Sequence, residues 1–322
     1  MNQSPEHTPL FENFLYDHER FAKHSFIGGS KTRDHKAALI RILTHALECG
    51  TVLPDVRLGY GKEKLASLAS KLQVYIADFG YDEEVHWAIN VIEAYIAFHK
   101  QKSHPVPDIE ALLDSLKANL PETVEGSIGG GEDTTASAVQ DAVDFDFRKF
   151  LLNRHSVRQY QPRALDEATI RRIAANAQQC PSVCNRQINK LYAFTDRTVI
   201  KELLTYHRGN EGFEQDIHTL FIVTSNLEQL NMIGERYQGW IDGGIFAMTL
   251  ALSIHAEGLG ACFLNWSVEK ERDMALRAKV GIPDNELVIT FMSAGYLKEE
   301  FRVPKSPRKP LETILSINPA IR

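Results

Sequence analysis

The 322-residue chain has only four cysteines, too few and too scattered for a disulfide framework at this length. Cys180 and Cys184 are spaced as metal ligands can be, but no second Cys/His pair completes a set, so no metal is expected. A reducing compartment follows, with the cytoplasm as the default. No uninterrupted apolar run is long enough to cross a bilayer, and the polar start MNQSPEHTP does not read as a signal peptide. Basic excess is also missing. Thirty-six Lys and Arg stand against 42 Asp and Glu, a net charge of -6, which argues against nucleic-acid or acidic-membrane partners. Neither a G-x-x-x-x-G-K-[ST] loop nor a strand-led G-x-G-x-x-G occurs, so mononucleotide-kinase and Rossmann readings lose their main support.

One absence divides the chain. From Ala118 to Phe147 there is no Lys or Arg, while Glu122, Glu125, Glu132, Asp133, Asp141, Asp144 and Asp146 accumulate. Within this stretch lies GSIGGGEDTTASA, poor in anything that fills a core. It reads as a flexible linker or a long surface loop over residues 121–143. Residues 1–120 before it are helical in pattern. Leu65, Leu68, Leu72, Tyr75 and Phe79 recur at three- and four-residue steps, as do Val85, Ile89, Ile92 and Ile96. Asp34 to Cys49 and Asp108 to Leu120 supply two more candidate helices. No alternating strand is visible in this half.

Residues 144–322 alternate between types. Helical runs at 166–179, 240–257 and 268–280 are interleaved with the strand-like LYAFT, HTLFIVTS, ACFL and ELVITFMSAGY. An α+β or α/β sheet domain is therefore expected, preceded by an all-α domain.

Four segments of this second half carry candidate chemistry. Arg154-His155-Ser156-Val157-Arg158 places two guanidiniums and a hydroxyl within reach of a phosphate; its plain alternative is a solvated basic loop. Cys180-Pro181-Ser182-Val183-Cys184-Asn185-Arg186-Gln187 ends a helix at Pro181. It offers two carboxamides, able to donate and accept together, to a flat heterocycle. A polar turn looks the same. Gly258 to Trp266 reads as a helix end, a strand and a backbone free to approach a ring, or simply as a capped helix before a buried strand. Lys305-Ser306-Pro307-Arg308-Lys309-Pro310 is a short basic stretch that could reach back to the same phosphate or lie in solvent.

Taken in order, these segments resemble the FMN-dependent nitroreductase family. NRHSVRQYQPRALDEATIRRIAANAQQCPSVCNRQ is similar to its R-x-S-x-R element, helix and P-S-x-x-N-x-Q turn. IDGGIFAMTLALSIHAEGLGACFL and AGYLKEEFRVPKSPRKPLETI resemble its central helix and strand and its C-terminal end. HSFIGGSK, THALECG and LPDVRLGYGKEK resemble the helical N-terminal extension of one subgroup. The resemblance implies a nitroreductase-like α+β fold and FMN as cofactor. Arg154, Ser156, Arg158 and Arg308 would bind its phosphate, with His155 alongside the cofactor. Pro181, Ser182, Asn185 and Gln187 would hold ribityl and ring atoms, and the backbone of Leu264 and Asn265 would face the flavin.

It further implies reduced NAD(P)H as electron donor, a small-molecule acceptor, no catalytic side chain and a homodimer whose subunits share each site. A flavin dehydrogenase running the other way, or a flavin-holding scaffold, are the alternatives. Two departures from the family pattern bear on substrate choice. Ile188-Asn189 stands where Pro-Trp is common, and Trp266 where a small residue is frequent, so Trp266 is expected to narrow the space above the ring. The loop Arg57–Lys62, which opens a helix, is a weaker candidate for an anion.

Overall fold

A computed structural model describes residues 8–118 and 129–319. Its helical half contains α1 (Pro9–His24), α2 (Arg33–Thr51), α3 (Lys62–Phe79), α4 (Glu83–Gln101) and α5 (Pro107–Lys117). The apolar steps seen in the sequence become one core. Leu65, Leu68 and Leu72 of α3 and Ile92 of α4 are fully buried against Ile40 and Leu47 of α2. Each such side chain contributes about 1.5–3 kcal/mol by leaving water. Polar capping fixes the entry of α4. The Asp82 carboxylate accepts from the backbone N–H groups of Glu84 and Val85, and also takes the Tyr75 hydroxyl at 2.7 Å and Arg33 Nη2 at 2.5 Å. Burial pushes this carboxyl up, but the hydrogen bonds from Tyr75 and Arg33 outweigh it and hold it below the ordinary range. One side chain thus ties α2, α3 and α4 together.

The helix α1, which the sequence reading did not pick out, belongs to neither this core nor a free end. Its Arg20 is 5% exposed and donates to the carbonyls of Asp284 and Glu286, at 2.9 and 2.7 Å from Nη2. Tyr16 donates to Asp273 at 2.7 Å. Phe21 packs on Ile188, Leu227, Leu230 and Leu287. The helical half therefore contributes its leading helix to the sheet half.

After α5, part of the acidic stretch lies outside the described residues. The described part is not free of contacts. Gly130 N donates to Glu48 Oε1 at 3.0 Å, and that same oxygen takes the Trp87 indole at 3.1 Å. A Cβ on Gly129 would sit 2.6 Å from Val91, and one on Gly130 2.6 Å from Ala94, so only glycine lets this backbone lie on α4. Of the two readings of this stretch, the described Gly-Gly-Gly run follows the surface loop, docked on α2 and α4. The exposed α6 (Ala136–Ala142) and α7 (Phe147–Asn153) follow.

The sheet half consists of α8 (Glu167–Gln178), β1 (Asn189–Phe194), α9 (Arg197–Leu203), β2 (Thr219–Asn226), α10 (Gln238–Ala256), β3 (Gly260–Asn265), α11 (Lys270–Val280) and β4 (Glu286–Gly295). The strands lie in the order β1-β2-β4-β3 with every neighbour antiparallel, so the fold is α+β and not α/β. Both faces are covered, and side chains alternate accordingly. Phe221 and Val223 of β2 face the core made with α8 and α10, while Leu220 and Ile222 face α9 and α11. That double burial is why the strands read as nearly continuous apolar runs. Glycines bring α10 close to the sheet: a Cβ on Gly243 would meet Ile289 at 2.5 Å.

Candidate functional site

The two arginines of the first segment sit along the outer edge of β3. Ser156 pairs with Ala261 in a parallel bridge, and Val157 N donates to Ala261 O at 2.9 Å. This short extended stretch therefore carries Arg154 and Arg158 past the strand. Arg154 and His155 are half-buried and line a small cavity with His255 and Phe263. Arg158 is exposed, with its guanidinium 5.7 Å from the Phe213 ring centre. Among the described residues neither arginine has a carboxylate within ion-pair distance. Their field reaches the strand: burial pushes the Cys262 thiol up, and Arg158 and Arg154 pull against that shift. Unpaired guanidiniums flanking a hydroxyl are the donor set a phosphate dianion requires.

Leu264 and Asn265 end the same strand. Leu264 is buried, whereas Asn265 is exposed and its carbonyl accepts from His207 Nε2 at 2.7 Å. His207 was not singled out in the sequence. A lone histidine before Arg208-Gly209 gives no periodic or motif signal.

The 181–187 turn has unusual backbone. Cys184, Asn185 and Gln187 have φ of 49°, 51° and 52°, the left-handed region that non-glycine residues avoid. Each such residue costs about 1–3 kcal/mol and persists only where surroundings over-determine it, typically at functional sites. The restraints here are visible. Ser182 Oγ accepts from Gln187 N at 2.9 Å, and Val183 N donates to Asp242 of α10 at 3.1 Å. Gln187 Nε2 donates to Asn185 Oδ1 at 3.1 Å, while Pro181 is exposed. Arg186 lies below the turn at 1% exposure, paired to Glu235 at 2.5 Å and donating to Gln229 O. Burial raises the Glu235 carboxyl, but Arg186 and the Asn231 N–H bring it below its ordinary range.

The two departures from the expected pattern turn inward. Ile188 is 3% exposed, and Asn189 bonds Asp242 O and Ser225 Oγ. Trp266 is buried, stacked on Phe291 at 4.8 Å, with its indole donating to Asp273 at 2.7 Å. The flanking aromatic and acid anchor Trp266, whose ring also lines two cavities beside α1 and α11. The Arg57–Lys62 loop is likewise occupied with its own neighbours. Gly59 N donates to the buried His99 at 3.0 Å, and Tyr95 donates to Tyr60 O at 2.6 Å, so the loop caps α3.

Not all candidates converge within one chain. Arg154, Ser156, Arg158, Leu264 and Asn265 share the β3 edge. The 181–187 turn leads into β1 at the opposite edge, three inter-strand spacings or about 14 Å away. Arg308 lies on the exposed C-terminal tail and bonds only Ser306 O, at 3.0 Å, among the described residues.

Residues 151–208 match the family model described as Nitroreductase family. A protein of Archaeoglobus fulgidus named "Putative NADH dehydrogenase/NAD(P)H nitroreductase" is 26% identical over 153 residues, which is 47% of this chain and 86% of that one. Solved structures similar in part include an FMN-dependent nitroreductase of Clostridium difficile R20291. It is 22% identical, with a TM-score of 0.42, covering 48% of this chain and 90% of that chain. Another is a nitroreductase family protein of Clostridium difficile 630, 19% identical, with a TM-score of 0.46, covering 55% and 100%. The segment that matches this family model runs from the end of α7 through the strained turn to His207-Arg208.

Proposed function

We propose that the protein binds FMN and works as an oxidoreductase, taking electrons from reduced NAD(P)H and delivering them to a small-molecule acceptor. The observation that carries this reading is the pair Arg154 and Arg158, flanking Ser156 at the β3 edge without an ion-pair partner among the described residues. For the half-buried Arg154, lacking a carboxylate is costly unless an anion from solution completes it, and the exposed Arg158 adds a second donor to that anion. These three residues, with His155 alongside, would hold the phosphate. Asn185 and Gln187 would address the polar edge of the ring with Pro181 and Ser182 shaping the turn, and the backbone of Leu264 and Asn265 would lie along it. FMN, when bound, supplies the two-electron chemistry, and the chain's residues bind, orient and shield it. The relative from Archaeoglobus carries NADH and NAD(P)H in its name, which suits a reduced nicotinamide as donor.

The division of the site between two sheet edges favours a two-fold dimer in which one subunit's turn meets the partner's β3 edge. The surface is suited to it. Ile241, Ile245 and Met248 form an apolar stripe on the outer face of α10 at helical spacing, exposed by 52, 38 and 41%. Phe147 and Leu152 of α7, and Leu311, Ile314 and Ile317 of the tail that carries Arg308, are exposed as well. In a dimer that tail would be able to bring Arg308 to the phosphate.

Purified protein should be yellow, release FMN on denaturation, and bleach when NADH or NADPH is added without oxygen. Protein that takes up no FMN on incubation would overturn the proposal. Bound FMN that neither nicotinamide reduces would leave a flavin-holding protein without this turnover.

A further inference from the structure

The sequence places every candidate cofactor residue after Asp144, yet the strained turn is held from the other half of the molecule. On α2, Asp34 and Arg41 are seven residues apart and so share one helix face. Asp34 accepts from Asn226 Nδ2, at the end of β2, at 2.6 Å. Two helical turns further along, past Ala38, Arg41 is locked by Glu84 of α4, whose two carboxylate oxygens take its Nε at 2.8 and 2.7 Å. A third contact, from Nη2, completes the fork. That leaves Nη1, which lies 3.4 Å from both the Asn185 and the Arg186 carbonyl oxygens.

Those two carbonyls belong to the run in which Cys184, Asn185 and Gln187 are all left-handed. Left-handed backbone is strained for non-glycine residues, and a donor to its carbonyls opposes relaxation of the turn. Arg41 and Glu84 are only 20% and 14% exposed, so the pair is shielded enough to keep its geometry.

We infer that Arg41 is a positioning residue for the cofactor turn, and that the helical half, through α2 and Glu84, sets the shape in which Asn185 and Gln187 are presented. The inference rests on the FMN reading and deepens it: a module distant in sequence takes part in cofactor affinity without touching the cofactor.

The test is made on the full-length chain with added FMN. Arg41→Gln should weaken FMN binding about fivefold, as expected for losing long, charge-assisted contacts at one remove. Arg41→Lys, which still donates but has no fork, should recover part of the loss. Two readouts separate positioning from mere stability. In FMN-free protein, amide exchange at 184–187 should speed up in Arg41→Gln while exchange in β2 and β4 stays the same. The visible circular dichroism of bound flavin should also change in Arg41→Gln and return towards wild type in Arg41→Lys. Should Arg41→Gln fail to fold, Glu84→Gln, which only frees the guanidinium, should give the same exchange pattern more weakly. A folded Arg41→Gln with wild-type FMN affinity and unchanged exchange at the turn overturns the inference. Wild-type protein that binds no FMN overturns the cofactor reading along with it.

Discussion

The helical half and the sheet half handle charge and backbone differently. Around α2–α5, charged side chains meet partners within the half: Arg33 with Asp82, Lys36 with Asp78, Arg41 with Glu84, Lys100 with Glu110. One non-glycine residue there, Ser103, has positive φ. Among the described residues, the sheet half leaves Arg154 and Arg158 without carboxylates and concentrates three left-handed residues within four positions. Unspent cations and stored backbone strain are what a ligand site keeps and what a packed scaffold removes. The contrast fits the proposed division of labour, with binding in the sheet half and support in the helical half.

Four changes test that contrast. The largest effect is expected at the support beneath the turn. Glu235→Ala leaves Arg186 buried and unpaired, which should cost about 3–5 kcal/mol in urea unfolding. A loss under 1 kcal/mol would mean that water reaches the guanidinium. Ile241→Glu together with Ile245→Glu should convert a dimer to a monomer by light scattering, since two charges on that stripe oppose its burial. If the double variant stays dimeric, the α10 face is not the interface. Arg158→Ala should weaken FMN binding roughly tenfold or more, the loss of one charge-assisted contact worth about 1.5–3 kcal/mol. Equal affinity by fluorescence titration removes Arg158 from the phosphate set.

The smallest effect concerns α1. Burial pushes the Asp284 carboxyl up, but hydrogen bonds from Lys23 and His24 outweigh it and hold it at about 2. A depressed carboxylate contributes stability above its unfolded pKa of about 3.9 and loses it as pH falls towards the folded value. Amide exchange in the last turn of α1 should therefore accelerate between about pH 4 and pH 2, ahead of β4. Simultaneous loss of both would show that this contact does not set the local stability.

Much of the architecture was legible because it is periodic. The four strands and helices α2, α3, α4, α8, α10 and α11 stand close to where their apolar spacing placed them. The strand pairing was not legible, since burial on both faces erases the alternation that would distinguish antiparallel from parallel neighbours. Helix α1 escaped because most of its apolar side chains, Leu10, Phe11, Phe14 and Leu15 among them, stay exposed, and much of what holds it is polar: Tyr16 and Arg20. The phosphate and turn segments could be read from residue type and order. Arg41 could not. Its role depends on a carbonyl 144 residues away, and no local pattern in α2 records that.

The placement of α1 also has a consequence in time. Its partners Asp273, Asp284 and Glu286 lie more than 250 positions later in the chain. During synthesis the α2–α5 bundle, built from near-neighbour contacts, has everything it needs early, whereas α1 emerges long before β4 and α11 exist to receive it. Until then the helix carries an uncovered Phe21 and an unshielded Arg20. Its docking is expected among the last events of folding, and a slow final phase that disappears when α1 is removed would mark that step.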